Sequence, residues 1–196
     1  MLPDRQFDVV LADPPWDYHG QADKWGAAAK FYPLMRDEDL LAFPLADVLA
    51  PKGVAFIWVT SPRLDFAIDC IRAWGLTYRG IAFNWVKTKP SDPSTPVGAQ
   101  GVRPSIIKPT SELVLAASRV KKGRPMKVSD ESIRQIILAP RTEHSRKPVD
   151  AHERIERLYP NASKIELFAR RPREGWVVWG NEIPEGTEAD VAAQGA

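Results

Sequence analysis

Residues 9–16 of this 196-residue chain read VVLADPPW, an apolar run that stops at an acid, two prolines and a tryptophan. Proline fixes φ and lacks a backbone donor, so neither a helix nor a central strand continues through Pro14 and Pro15. The stretch is either a rigid surface turn after a strand or a rigid platform that presents Asp13 and Trp16 to a planar ligand. The low chance frequency of D-P-P-W favours the platform.

Strand-like and helix-like segments alternate along the rest of the chain. Apolar runs between turn residues predict strands, and apolar residues at helical spacing predict helices. The predicted strands are 7–12, 53–60, 78–87, 112–117, 133–138, 164–169 and 176–179, and the predicted helices are 37–49, with a break at Pro44, 61–74 and 148–158. The stretches 17–36, 88–110 and 120–130 are predicted loops. This order predicts an α/β domain with a mostly parallel sheet, which binds ligands beyond the carboxyl ends of its strands.

The charge distribution divides the chain into two parts. Four acids and no base lie from position 182 onward, so the net charge of +2 becomes +6 without them. We therefore predict one ordered domain over residues 1–182 and an acidic, disordered tail over 183–196.

Many of the bases fall in the predicted loops, an arrangement that suits a polyanion such as nucleic acid, although ordinary solvated lysines would give the same count. The candidate nucleic-acid contacts are Lys87, Lys89, Arg103, Lys121, Lys122 and Arg124.

Several classes of protein are disfavoured by missing motifs. The chain has neither a GxGxxG nor a GxxxxGK[ST] glycine loop, and it has no HExxH or G-x-S-x-G sequence. Its single cysteine, Cys70, permits neither an internal disulfide nor a multi-cysteine metal site. No apolar run approaches a membrane span and no signal region opens the chain, so we expect a cytoplasmic protein without a metal or a membrane partner.

The motif DPPW is followed in order by YPLM, FIWVTSP, WG, WVKT, EHSRKP, ELFAR, GW and WGNE, between about residues 8 and 182. This series resembles the adenine-N6 methyltransferase family of the eukaryotic mRNA N6-methyladenosine writers and their bacterial and phage homologues. The resemblance implies a Rossmann-like class I methyltransferase sheet with helices on both faces. It also implies a permuted motif order, in which the catalytic motif comes first and the cofactor strands come last.

The implied reaction moves a methyl group from S-adenosylmethionine to the N6 amino group of adenine in nucleic acid and leaves S-adenosylhomocysteine. Asp13 and the Pro14 carbonyl would each accept one amino N–H, which positions the nitrogen lone pair for transfer. Pro15 would keep these acceptors rigid, and Trp16 would stack on a base that has left its strand. Tyr32 matches a loop aromatic near the entering base, although a packing role is also open.

The resemblance also implies a set of cofactor contacts. Lys147 and Arg170 would lie near the methionine carboxylate and the ribose, and Asn181 and Glu182 would bind ribose hydroxyls. Asp13 would touch the methionine amino group as well. His144 and Ser145 would shape the loop beside the cofactor, and Ala169 stands where relatives have glycine.

Three functions remain open from the sequence. The first is an active enzyme on nucleic acid, with DNA favoured over RNA, acting as a monomer or homodimer in a prokaryote or phage. The second is a catalytically inactive nucleic-acid-binding partner subunit of the same fold. The third is a methyltransferase for a small molecule or a protein amide. The intact DPPW motif and Asn181 favour the first function, since inactive partners lose these residues.

Overall fold

The computed structural model describes residues 1–17, 35–97, 109–141, 146–181 and 183. Within these ranges the strands are β1 (Phe7–Ala12), β2 (Leu49–Val59), β3 (Thr77–Lys89), β4 (Asp92–Pro96), β5 (Ser111–Ser118), β6 (Ile136–Pro140), β7 (Lys164–Leu167) and β8 (Val177–Trp179). The helices are α1 (Asp37–Leu41), α2 (Leu64–Ala73) and α3 (Val149–Leu158), with 3-10 turns at Leu45–Val48 and Ser61–Arg63.

The strands form a single sheet in the order β4-β3-β5-β2-β1-β7-β8, with β6 beside β3. The pairs β1–β2, β1–β7, β7–β8 and β3–β6 are parallel, whereas β5 runs antiparallel to β2 and β3, and β4 runs antiparallel to β3. We call the edge where the parallel strands end the carboxyl edge, and the opposite one the amino edge. Because β5 is reversed, it begins at the carboxyl edge.

Two apolar cores cover the two faces of the sheet. Successive residues of a strand point to opposite faces. Accordingly, Val10 and Ala12 of β1 pack with α1 and α2, whereas Val9 and Leu11 pack with α3. The stretch 53–59 of β2 is buried throughout, as expected for a central strand that is covered on both sides. The predicted α/β class with helices on both faces is confirmed.

Most predicted elements are present, with shifts at their ends. The predicted helix over 37–49 divides as expected near Pro44, into α1 and a 3-10 turn. The predicted loop 88–110 was wrong in its first part, because β3 continues to Lys89 and folds back through a turn into β4. Asp92 stabilises this hairpin by accepting the Ser94 N–H at 3.0 Å, so a proline-rich stretch still pairs.

The other domain-level predictions concern the tail and the motif order. The tail over 183–196 lies outside the described residues except for Ile183. The domain boundary and the permuted motif order stay predictions. Among the helices of the described ranges, none has the length and apolar character needed to cross a membrane.

Candidate active site

Four charged side chains from distant parts of the chain meet at the carboxyl edge. Asp13 follows the end of β1, and Lys87 lies near the end of β3. Glu112 is the second residue of the reversed strand β5, and Lys147 lies beyond the end of β6. Strand alternation places Asp13, Lys87 and Glu112 on the face that packs against α3. The topology therefore brings two acids and two bases to one side of the sheet.

Lys147 joins the two acids. Its Nζ lies 2.7 Å from Oδ2 of Asp13 and 3.4 Å from Oε2 of Glu112. Lys87 holds the other oxygen of Glu112, with Nζ 2.5 Å from Oε1. All four side chains are largely buried, with between 13% and 20% of their surface exposed. In their ionised forms the four charges cancel, which makes this burial tolerable.

Two tryptophans lie beneath the lysines. Nζ of Lys147 lies 5.6 Å from the centroid of the Trp58 ring, and Nζ of Lys87 lies 5.1 Å from that of Trp85. The two indoles meet edge to face at 6.2 Å, and the Trp85 N–H donates to the Ala139 carbonyl at 2.9 Å. Each ammonium group thus has a carboxylate beside it and an aromatic ring under it, both of which stabilise positive charge.

The surroundings shift the pKa values of the two acids in opposite directions. Burial raises the pKa of Asp13, and the opposing attraction of Lys147 does not fully offset it. Burial acts in the same direction on Glu112, but Lys147 and Lys87 together outweigh it and lower the pKa of Glu112. Asp13 is therefore the readier proton acceptor of the pair, and Glu112 the more firmly ionised.

The DPPW motif forms a tight turn at this edge. The Trp16 N–H donates to the Pro14 carbonyl at 2.8 Å, so one lone pair of that proposed acceptor is already used. The Trp16 side chain is only 3% exposed, and its indole N–H donates to the Trp58 carbonyl at 2.9 Å. In this conformation Trp16 is a packing anchor on the α2 side of the sheet. Its role in stacking on a base stays a prediction.

The ends of β7 and β8 approach each other closely beside Asp13. Phe168 follows β7 with a φ of 60°, a left-handed conformation that is strained for an aromatic residue. The turn lets the Ala169 N–H donate to the Trp179 carbonyl at 2.9 Å. A Cβ on Gly180 would lie 2.1 Å from the Ala169 carbonyl oxygen, so only glycine fits there. Arg170 also lies close to Asp13, and its positive charge partly opposes the rise in the pKa of that acid.

The predicted cofactor and substrate residues fall into three groups. Asp13, Pro14, Pro15, Trp16, Lys147, Arg170 and Asn181 lie at or beside the carboxyl edge, as do Lys87 and Lys89. Glu182, His144, Ser145, Tyr32 and Arg103 lie outside the described residues. The contacts predicted for the residues of these first two groups stay predictions. Lys87 is paired with Glu112 in this structure, whereas Lys89 is exposed.

Lys121, Lys122 and Arg124 form the third group and lie at the amino edge. They follow the end of β5, where Ser118 is paired with Thr77, the first residue of β3, and with Val54 of β2. Ser118, at the end of β5, lies six residues beyond Glu112, or roughly 20 Å along the strand. These three residues therefore lie at the opposite edge from the charged site, because β5 runs against its neighbours, and their predicted nucleic-acid contacts stay predictions. Arg124 also pairs with Glu131 at 3.0 Å.

Sequence reasoning missed Glu112 and Trp58 as parts of the site. Glu112 opens an apolar strand, and only the reversal of that strand brings it to the carboxyl edge. Trp58 lies in the FIWVTSP motif, where the apolar run indicated a buried strand and nothing more. The available signal for Glu112 in the sequence was a charged residue next to a buried apolar run. This signal does not identify the residue with which Glu112 pairs.

Comparison with known proteins agrees with this architecture. A sequence profile described as MT-A70 matches residues 7–182. The chain is 31% identical to the Type II methyltransferase M.MunI of Mycoplasma sp over 99% of this chain and 84% of that protein. It is 31% identical to an Arabidopsis thaliana N(6)-adenosine-methyltransferase MT-A70-like protein and 29% identical to the human N(6)-adenosine-methyltransferase catalytic subunit METTL3. These two matches cover 90% and 91% of this chain, but only 24% and 28% of the relatives.

The match extends from β1 to the end of β8 and thus includes the DPPW turn, the charged site and the β7–β8 contact. The resemblance inferred from DPPW and its companion motifs is confirmed: the chain belongs to the MT-A70 family.

Proposed function

We propose that this chain transfers a methyl group from S-adenosylmethionine to the N6 amino group of adenine in nucleic acid, with DNA favoured over RNA. The observation that carries the proposal is the buried Asp13–Lys147 pair, 2.7 Å apart, at the carboxyl edge of an MT-A70 sheet. A partly buried carboxylate at the end of a strand, beside a cation that can bind an anionic ligand, suits a group-transfer site.

Asp13 has two tasks in this proposal. The exocyclic amino group of adenine is a poor nucleophile because its lone pair is delocalised into the ring. When bound, S-adenosylmethionine supplies a methyl group activated by a sulfonium centre. Asp13 and the Pro14 carbonyl each accept a hydrogen bond from one of the two amino N–H groups, which orients the nitrogen lone pair. Methylation leaves the nitrogen with a surplus proton, and the raised pKa of Asp13 suits its carboxylate to accept it.

The donors at the carboxyl edge fit the proposed cofactor. Lys147 provides a cation for a carboxylate, and Arg170 adds a second positive charge nearby. Asn181 is exposed just after β8, where its amide can bind ribose hydroxyls. The glycine at position 180 keeps the backbone open at this point, since any side chain there would strike Ala169. These features support the assignment of Lys147, Arg170 and Asn181 to the cofactor.

The preference for DNA rests on which relative the chain matches along its length. It spans 84% of the bacterial Type II methyltransferase, whereas it spans about a quarter of the plant and animal proteins whose names specify N(6)-adenosine. An exposed basic residue at the carboxyl edge, Lys89 at the end of β3, suits a nucleic-acid backbone.

The decisive experiment supplies labelled S-adenosylmethionine with matched single- and double-stranded DNA and RNA, followed by nucleoside analysis. We expect label in N6-methyladenine, most of it in DNA. Asp13→Ala should abolish incorporation, whereas Asp47→Ala, at an exposed acid just before β2, should retain it. Full activity of Asp13→Ala would overturn the proposed mechanism. Nucleic-acid binding by the wild type without methylation would instead favour the inactive partner subunit.

A further inference from the structure

We propose that Glu112 is a positioning residue that retains Lys147 when a cofactor carboxylate takes this lysine from Asp13, so that cofactor binding releases Asp13 for the incoming amino group. The inference rests on the proposed function, because it assumes that Lys147 binds the cofactor and that Asp13 binds adenine. It adds a coupling between the two binding events, and it assigns a task to a residue outside the DPPW motif.

The first observation is that Lys147 occupies Asp13. With Nζ only 2.7 Å from Oδ2, the ammonium group occupies one of the two carboxylate oxygens that could accept a substrate N–H. The same nitrogen lies 3.4 Å from Oε2 of Glu112, at the outer limit of a hydrogen bond. A small movement of Lys147 away from Asp13 can therefore exchange the stronger contact for the weaker one.

The second observation is that Glu112 is held independently of Lys147. Lys87 binds Oε1 of Glu112 at 2.5 Å, whereas Lys147 faces Oε2. The backbone of Glu112 is also fixed, because it is paired with Trp85 in the ladder between β3 and β5. Glu112 can thus remain in place while Lys147 changes partner.

The third observation concerns charge and solvent. When Asp13 no longer pairs with Lys147, the Glu112 carboxylate remains between the ammonium groups of Lys87 and Lys147. These three groups carry a net positive charge, which favours the binding of an anion. The exposed fraction of the Lys147 side chain is 16%, so little water competes for its partners. Trp58 lies under its Nζ at 5.6 Å and stabilises the cation with either acid.

These contacts predict that cofactor and adenine binding strengthen each other. A ligand that draws Lys147 away from Asp13 frees the acceptor for the adenine amino group, and by reciprocity adenine at Asp13 favours the released lysine. Without Glu112, Lys147 loses one of its two acidic partners among the described residues and keeps Asp13, so the cofactor carboxylate must compete with a tighter pair. If Glu112 were merely a negative charge near the anion site, its removal would strengthen anion binding.

The test measures binding of S-adenosylhomocysteine by calorimetry and binding of an adenine-containing oligonucleotide with and without S-adenosylhomocysteine. For the wild type we expect S-adenosylhomocysteine to raise oligonucleotide affinity about tenfold. Glu112→Gln should bind S-adenosylhomocysteine about tenfold more weakly and lose this enhancement. Glu131→Gln, which removes an exposed glutamate paired with Arg124 at the amino edge, is the matched control and should behave as wild type.

The outcomes separate the inference from the function on which it rests. Unchanged or tighter S-adenosylhomocysteine binding by Glu112→Gln, with the enhancement intact, overturns the inference while methylation by the wild type stands. A wild type that binds no S-adenosylhomocysteine overturns the proposed function and the inference with it. If Glu112→Gln does not fold, Glu112→Asp decides: it keeps the charge but is too short to hold both lysines, so it should also lose the enhancement.

Discussion

At the scale of single residues, the chemistry of Asp13 depends on groups that are remote in the sequence. Its hydrogen-bond partner Lys147 lies 134 positions away, and Glu112 arrives on a strand that is not a neighbour of β1. Burial raises the pKa of Asp13, and Lys147 limits that rise. The DPPW motif thus provides the carboxylate, and the remote lysine adjusts its affinity for protons.

Replacing Trp16 with phenylalanine separates its packing role from its predicted stacking role. Trp16→Phe removes the indole N–H that donates to the buried Trp58 carbonyl, but keeps an aromatic ring. We expect the free energy of unfolding in urea to fall by about 1–2 kcal/mol. Oligonucleotide affinity should change little in the folded variant. A large loss of affinity at unchanged stability would show that the indole contacts the base.

Glu112 predicts a specific dependence of stability on pH. Its pKa in the folded chain is lowered, so its contribution is complete above the unfolded pKa and is lost as pH falls through the folded value. Asp13, whose pKa is raised, contributes with the opposite sign and becomes less unfavourable on acidification. The difference in unfolding free energy between wild type and Glu112→Gln measures the contribution of the Glu112 charge to stability.

We expect that difference to be roughly 3 kcal/mol near neutral pH, because two buried lysines lose a shared partner. It should shrink as pH falls below the unfolded pKa of Glu112 and through its lowered folded pKa, where the wild-type carboxylate becomes protonated. Urea denaturation of both proteins at a series of pH values measures it. A difference that does not change with pH would contradict the lowered pKa.

At the scale of elements, α3 fixes the segment between β7 and β8. The Glu156 carboxylate accepts two hydrogen bonds from the Arg173 guanidinium group, one from Nε at 2.8 Å and one from a second nitrogen at 3.0 Å. It also accepts one from the indole N–H of Trp176 at 2.7 Å. His152, one turn earlier on α3, lies 2.8 Å from Glu166 of β7. The helix is thus bonded to β7 and to the segment leading into β8, the two strands that end at the proposed cofactor site.

Glu156→Gln tests the contribution of this connection. The amide loses the charge that pairs with Arg173, but its oxygen can still accept one hydrogen bond. Because both side chains are partly in solvent, we expect a loss of only about 1 kcal/mol in unfolding free energy. Glu153→Gln, at an exposed position of the same helix, should leave stability unchanged. Equal stability of the two variants would mean that the connection does not stabilise the fold.

At the scale of the whole molecule, positive charge lies at both edges of the sheet. Lys89 is exposed at the carboxyl edge, at the end of β3, whereas Lys121 and Lys122 are exposed at the amino edge. A target nucleotide at Asp13 lies at the same edge as Lys89 and at the opposite edge from Lys121 and Lys122. The two groups should therefore contribute unequally to the binding of a short oligonucleotide.

Charge reversal at the two edges measures this difference. We expect Lys89→Glu to weaken binding of a short oligonucleotide by about tenfold at low salt and to reduce the dependence of affinity on salt. Lys122→Glu has the same change in net charge and should alter affinity less than about twofold. Fluorescence anisotropy over a salt series compares them. Equal losses would show that net charge, and not position, governs binding.

The amino-acid sequence by itself determined most of the elements and the strand that leads into the DPPW motif. The ends of β1 were predicted without error, and α3 and the break near Pro44 were also predicted. These features depend on apolar periodicity and on proline, which act locally. The ordered motifs from DPPW to WGNE likewise sufficed to recognise the family, because they are read along the chain.

Only the tertiary structure decided which charged groups meet. The reversal of β5 brings Glu112 to the carboxyl edge and sends Lys121 and Lys122 to the amino edge. The hydrogen bond from the buried Trp16 indole to the Trp58 carbonyl and the Asp13–Lys147 pair have the same origin. Strand direction and strand order arise from long-range pairing and shared burial, which no local pattern specifies. The sequence therefore identified the carboxylate, and the fold selected its partners.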